Sequence, residues 1–109
     1  MHFVNEKLFI PVDGTRPSPA LTMYSLTYCT PCKEARAYLQ SRGYTFRYVE
    51  VDELPPAEGF HIKRHITPKN VKSLLYPVLE IGDGDLVYGY NPEDWEGRIS
   101  AHRTPAPEA

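Results

Sequence analysis

The sequence predicts an α/β domain built on a central mixed four-stranded sheet. A parallel βαβ unit is followed by an antiparallel hairpin, helices flank the sheet, and an extra strand precedes it. Three observations carry that expectation. A strand, a Cys-x-x-Cys junction, a helix and a second strand follow one another within about 30 residues. Two short apolar runs flank Gly82-Asp83-Gly84-Asp85, which marks a hairpin. Asn91-Pro92-Glu93-Asp94 then opens a closing helix, with a capping side chain, a proline suited to the first turn and acidic residues that complement the dipole.

In chain order, residues 1–20 read as an N-terminal extension: a strand over Lys7 to Val12, then a connector punctuated by Gly14, Pro17 and Pro19. Leu21-Thr22-Met23-Tyr24-Ser25 is a short strand. Lys33 to Arg42 reads as a helix, with Ala35, Tyr38 and Leu39 at helical spacing and Gly43 as its stop. Thr45 to Asp52, dense in Phe46, Tyr48, Val49 and Val51, suits a buried parallel strand. Glu53 to Ile66 resists a regular reading, because Pro55-Pro56 bars a regular start; a short helix or an ordered loop is expected around Phe60, Ile62 and Ile66. A clearer helix is expected from Thr67 as N-cap, with Pro68 at its first position and Val71, Leu74 and Leu75 buried. The hairpin strands are Pro77 to Ile81 and Leu86 to Tyr90, and the last helix buries Trp95 and Ile99. Thr104 to Ala109, with two prolines, reads as a flexible tail. The expected organisation is an extension over 1–20, one domain over 21–103 and a tail over 104–109.

Length and charge narrow the function. A chain of 109 residues supports one core. A net charge of −2 argues against a nucleic-acid partner, which calls for a basic stripe. Lys63, Arg64, Lys69 and Lys72 cluster, but Glu50, Asp52, Glu53 and Glu58 lie close in sequence, so a mixed solvated surface is expected. No segment approaches the roughly 20 apolar residues of a membrane span. Met1 to Pro11 contains Asn5, Glu6 and Lys7 and builds no apolar core, so no signal peptide is expected. These features point to a monomer in a reducing cytoplasm, where a lone cysteine pair is more often redox-active or metal-binding than structural.

Cys29 and Cys32 are the only thiols. A dithiol at a strand–helix junction lies at the positive end of the helix, which favours the thiolate, the nucleophile of disulfide exchange. Lowering a thiol from its usual pKa of about 8.5 by two units takes roughly 2.7 kcal/mol. A helix N-terminus contributes about 0.3–1 kcal/mol and a charge-assisted hydrogen bond about 1.5–3 kcal/mol. With Cys29 as N-cap, Pro31 offers no N–H, so Cys32 is the close donor, and a depressed but not extreme thiol pKa is expected. Lys33 and Arg36 add screened positive potential.

The element order, with Cys29-Thr30-Pro31-Cys32, Tyr76-Pro77, and Val78-Leu79-Glu80-Ile81-Gly82-Asp83-Gly84 followed by Gly89, resembles the thioredoxin fold in its compact glutaredoxin form over roughly residues 20 to 103. The resemblance implies a thiol–disulfide oxidoreductase that reduces protein disulfides in cell redox homeostasis. Cys29 would be the nucleophile, Cys32 the resolving thiol and Pro77 a cis proline. The Tyr76 backbone would then lie open beside Cys29, to pair with an extended substrate. Read from the residues alone, Pro77 equally suits the start of a strand in trans. Tyr28, Tyr76 and Tyr90 are candidates for an aromatic rim at Cys29, with Pro31, Pro77 and Gly89 completing the substrate surface; a tyrosine also packs with its hydroxyl to water. No tightly bound cofactor is implied, only an external reductant, either thioredoxin reductase or glutathione.

Departures from the family bear on that reductant. Glutathione-using members carry Thr-Val before the cis proline and Gly-Gly with Cys-Asp at the last helix. Here those stretches are Leu75-Tyr76 and Tyr88-Gly89-Tyr90-Asn91, and Pro92 removes one N–H donor from the helix start. Gly89-Tyr90-Asn91-Pro92 is similar to the Gly-Phe-x-Pro of the glutaredoxin-like redoxins that serve ribonucleotide reductase and are recharged by thioredoxin reductase. Pro77 to Gly84 also resembles the N-terminal domain of glutathione transferases, whose long helical second domain has no room here. Two rival functions stand beside the redox reading. One is a zinc module using Cys29, Cys32, His61 and His65, the histidines four apart on a possible helix. The other is a redoxin fold that binds a partner without turnover.

Overall fold

The computed structural model describes residues 8–16, 19–67, 74–82 and 84–103. Its strands are β1 (Ile10–Val12), β2 (Leu21–Ser25), β3 (Phe46–Glu50), β4 (Val78–Ile81) and β5 (Asp85–Tyr88). Its helices are α1 (Thr30–Ser41), α2 (Pro56–Ile66) and α3 (Pro92–Arg103), with a 3-10 turn over Val51–Glu53. Among the described residues the sheet runs β1-β3-β2-β4-β5. β2 and β3 are parallel; the other neighbours are antiparallel. The four-stranded thioredoxin-like sheet is therefore present, with β1 added on the outer side of β3.

The side-chain alternation of the strands builds two layers. Leu21, Met23, Phe46, Leu79, Ile81 and Val87 pack against Ala35 and Leu39 of α1 and Trp95 and Ile99 of α3. Tyr24, Val49 and Val78 pack with Val51, Phe9 and, from α2, Ile62 and Ile66. Each face of the sheet is thus covered by helix, which is why all five residues of β2 are buried.

Local chemistry explains the boundaries. α1 starts at Thr30, one turn earlier than its apolar spacing suggests, because Cys29 supplies the cap. It ends on a left-handed glycine: Gly43 has φ of 76°, its N–H reaches the Gln40 carbonyl at 3.0 Å, and the Tyr44 N–H reaches that of Leu39 at 3.1 Å. The hairpin turns through Gly82 and Gly84, at φ of 66° and 105°. At α3, Asn91 Oδ1 accepts the Asp94 N–H at 3.0 Å, and Trp95 and Ile99 are fully buried.

Three expectations are corrected. The first strand is only Ile10–Val12, and of the expected span Lys7 lies outside the described residues. Residues 56–66, where the sequence leaves a short helix or an ordered loop open and Pro55-Pro56 is expected to bar a regular start, are a regular helix. Pro56 takes the first helical position, where a missing N–H costs nothing, and Pro55 caps in extended conformation, so the two prolines start α2 instead of barring it. Phe60 is not part of its core face but 58% exposed. Thr67 closes α2 as its C-cap, its N–H on the Lys63 carbonyl at 2.9 Å. The helix expected beyond it falls on residues 68–73, outside the described residues; Leu74 and Leu75 are not helical, and Leu75 is 61% exposed.

The segment after β1 is tightly held. Gly14 N–H donates to Thr45 Oγ1 at 3.0 Å, and the Thr15 and Arg16 N–H groups both reach the Gly43 carbonyl at 2.9 Å. The Arg16 guanidinium lies 4.2 Å from the centroid of the Tyr44 ring.

Candidate active site

The central strand β2 ends at Ser25, and Leu26-Thr27-Tyr28 carries the chain on to Cys29. There Cys29 takes extended dihedrals and caps α1. Its sulfur accepts the Cys32 backbone N–H at 3.2 Å, while Pro31 stands in the first turn without an N–H to offer. Cys29 and Cys32 form a disulfide, their Cα atoms 5.2 Å apart. The two differ in access: Cys32 is only 2% exposed, on the inward side of α1, whereas Cys29 is partly open.

Around the pair, Tyr28 projects into solvent at 75% exposure and Pro31 is exposed beside it. Pro77 is fully buried behind a cis Tyr76–Pro77 bond, and its carbonyl accepts the Gly89 N–H at 2.9 Å, bringing the start of β4 against the end of β5. Gly89 has φ of 78°, and a Cβ there would stand 4.0 Å from Leu75 Cδ1. Tyr76 is half-buried. Its hydroxyl is buried without a hydrogen-bond partner, and burial first, then the Tyr28 and Asp52 charges, push its pKa up. Tyr90 is drawn instead into the α1–α3 layer, its ring edge-on to Trp95 at 5.1 Å and tilted against Tyr38 at 5.9 Å. Of the three tyrosines, Tyr28 is exposed, Tyr76 is half-buried and Tyr90 packs between α1 and α3, while Leu75 is an unanticipated apolar neighbour of Gly89.

Thr27, two positions before Cys29, is tied to Asp52, a contact that sequence reading does not anticipate. Thr27 N–H donates to Asp52 Oδ1 at 3.0 Å and its hydroxyl to Asp52 Oδ2 at 2.5 Å. That hydroxyl bond above all holds the Asp52 carboxyl below its ordinary pKa. The two residues are 25 apart in sequence, and only the parallel pairing of β2 with β3 hints that they meet.

The zinc arrangement is not assembled. His65 Nε2 lies 3.1 Å from both oxygens of Glu80, and His61 packs edge-on to Phe60. Among the described residues no group of three or more His, Cys, Asp or Glu side chains is placed to hold a metal. No helix among them is long and apolar enough to cross a membrane.

The glutaredoxin family profile matches residues 21–86. Of solved structures, the glutaredoxin from Methanosarcina mazei Go1 is 25% identical, with 84% of this chain and 86% of that one covered and a TM-score of 0.73. The glutaredoxin from Archaeoglobus fulgidus is 27% identical, with 71% and 82% covered and a TM-score of 0.56. The glutaredoxin-like NrdH-redoxin from Escherichia coli, described as having a thioredoxin-like activity profile, is 25% identical over 82% of this chain and 100% of its own, at a TM-score of 0.55. No curated protein matches the chain.

Proposed function

The chain belongs to the glutaredoxin family, and on that premise we propose that it is a dithiol protein-disulfide oxidoreductase in which Cys29 attacks and Cys32 resolves. The observation that carries this reading is the capping bond: the partly exposed Cys29 sulfur accepts the N–H of Cys32, whose own sulfur is buried. In the reduced protein the Cys29 thiolate would attack one sulfur of a substrate disulfide. A mixed disulfide forms and one substrate thiolate leaves, to be protonated. Cys32 then loses its proton and attacks Cys29 Sγ, and the second substrate thiolate departs. Two electrons pass to the substrate, and the Cys29–Cys32 disulfide remains. Tyr28, Pro31, Tyr76, Pro77 and Gly89 form the substrate surface in this reading, and residues 21–103 are the redox unit.

For the electron source, a thioredoxin-reductase-type flavoenzyme is favoured over glutathione. At the start of α3, Pro92 has no N–H and that of Asp94 is taken by Asn91, while Glu93 and Asp94 put negative charge where a glutathione carboxylate would dock. Loss of one such donor costs about 1.5–3 kcal/mol, or roughly ten- to a hundredfold in affinity. The activity profile described for NrdH-redoxin is in keeping with this choice. NADPH consumption decides it, followed with one protein disulfide substrate in two coupled assays: glutathione plus its reductase, and thioredoxin reductase. Faster turnover with glutathione reverses the assignment; silence in both favours a binding module.

A further inference from the structure

Leu26-Thr27-Tyr28 is the bridge from the rigid sheet to the reactive sulfur, and Thr27 is its outside anchor. Both hydrogen-bond donors of Thr27 end on one carboxylate, that of Asp52, at 3.0 Å and 2.5 Å. Two donors of one residue held by two oxygens of one acceptor fix backbone and side chain together. Asp52 itself is well founded. It lies in the 3-10 turn that continues β3, next to the buried Val51. β3 is bound to β2 through the Tyr24–Val49 and Ser25–Glu50 pairs, and the Ser25 hydroxyl donates to the Val49 carbonyl at 3.2 Å.

The need for such an anchor changes during the reaction. While the disulfide is closed, a covalent bond holds Cys29 to Cys32. Once it opens, the Cys29 sulfur is held over the N-terminus of α1 by the Cys32 N–H, by the Lys33 N–H on the Cys29 carbonyl at 3.2 Å, and by the bridge that sets where Cys29 enters the helix. We propose that Asp52, acting through Thr27, is the positioning residue that keeps the reduced Cys29 sulfur at its capping place. The proposal rests on Cys29 as the attacking thiol. Tyr76, on the segment before β4, is the titratable group on which the Asp52 charge acts.

The test titrates Cys29 in the full chain, reading alkylation by iodoacetamide against pH and the redox equilibrium with glutathione. Thr27→Val removes the hydroxyl donor but keeps shape and the Asp52 charge. It should raise the pH at which Cys29 becomes reactive by about 0.3–0.7 unit, leaving roughly two- to fivefold less thiolate at neutral pH. The glutathione equilibrium should move toward the disulfide, and Thr27→Ser should restore both readouts. Against an Asp52→Ala background, Thr27→Val should change nothing further, and the charge effect of Asp52 cancels in that comparison. An equal shift in both backgrounds, or a lowered Tm with ionisation and potential unchanged, overturns the proposal. Failure of the wild-type protein to turn over a disulfide substrate would count against the oxidoreductase reading alone, since the titration needs no substrate.

Discussion

Tyr24 donates a 2.6 Å hydrogen bond to the Glu80 carboxylate, inside the layer between the sheet and α2. The same carboxylate accepts the Gly84 N–H at 2.9 Å and lies 3.1 Å from His65 Nε2. One buried acid thereby joins β2, the hairpin turn and α2, and each of those contacts repays part of its desolvation. Burial, reinforced by Glu80, drives the Tyr24 hydroxyl pKa up, so it stays a donor at any ordinary pH.

Removing that acid should therefore destabilise the fold more than its size suggests. Glu80→Ala leaves the Tyr24 hydroxyl buried without this acceptor and should cost about 1–3 kcal/mol in urea unfolding. Glu80→Gln keeps an acceptor and should cost less. Equal losses in the two variants would show that the hydrogen bond to Tyr24 is not what matters.

Gly14 is a steric requirement. A Cβ there would stand 2.4 Å from the Gly43 carbonyl oxygen and 2.5 Å from that of Tyr44, both backbone atoms that cannot swing aside. Gly14→Ala should cost about 1–3 kcal/mol through overpacking and detach the segment that carries β1. Thermal unfolding checks the loss, and an unaltered Tm would refute it.

The cysteines should behave unequally. Sub-stoichiometric iodoacetamide on the reduced protein at neutral pH should label Cys29, since Cys32 is buried. Cys32→Ser should accumulate mixed disulfides with a substrate, because the resolving thiol is gone, and Cys29→Ser should not. Mass mapping of the adduct reads the result; preferential labelling of Cys32 would reverse the roles.

Acid should weaken the fold in a defined window. The carboxyls of Asp52, Asp85 and Glu96 are all held below their ordinary values, chiefly by hydrogen bonds from Thr27, His102 and Tyr38 respectively. Folded-state values below the unfolded ones mean stabilisation that is complete above the unfolded pKa of about 4 and lost as pH falls through the folded values. All three groups are substantially solvated, so each contribution is modest. The urea midpoint should hold steady from pH 7 to about 5 and decline below about 4, with a shallower decline in Asp85→Asn. A midpoint unchanged at pH 3 would contradict this.

What the sequence determined was local. Cys29 as cap, Pro31 without a donor and Cys32 as the bonded N–H all lie within one helical turn, so spacing alone decides them. Gly82 and Gly84 mark the hairpin because their positive φ angles suit glycine, and Asn91 marks α3 because its side chain serves a donor three residues on. The same local reading failed where one dipeptide has two meanings. Pro55-Pro56 can bar a helix or begin one, and the burial of Ile62 and Ile66 under the sheet selected the second. Tertiary structure alone decided the rest. Thr27 meets Asp52 because β2 and β3 are parallel, Tyr24 meets Glu80 because β4 returns antiparallel in one register, and Gly14 is pressed against Gly43 by the added strand. These pairs are 25, 56 and about 30 residues apart in sequence. A contact across such a distance is set by strand order and register, which no local spacing encodes.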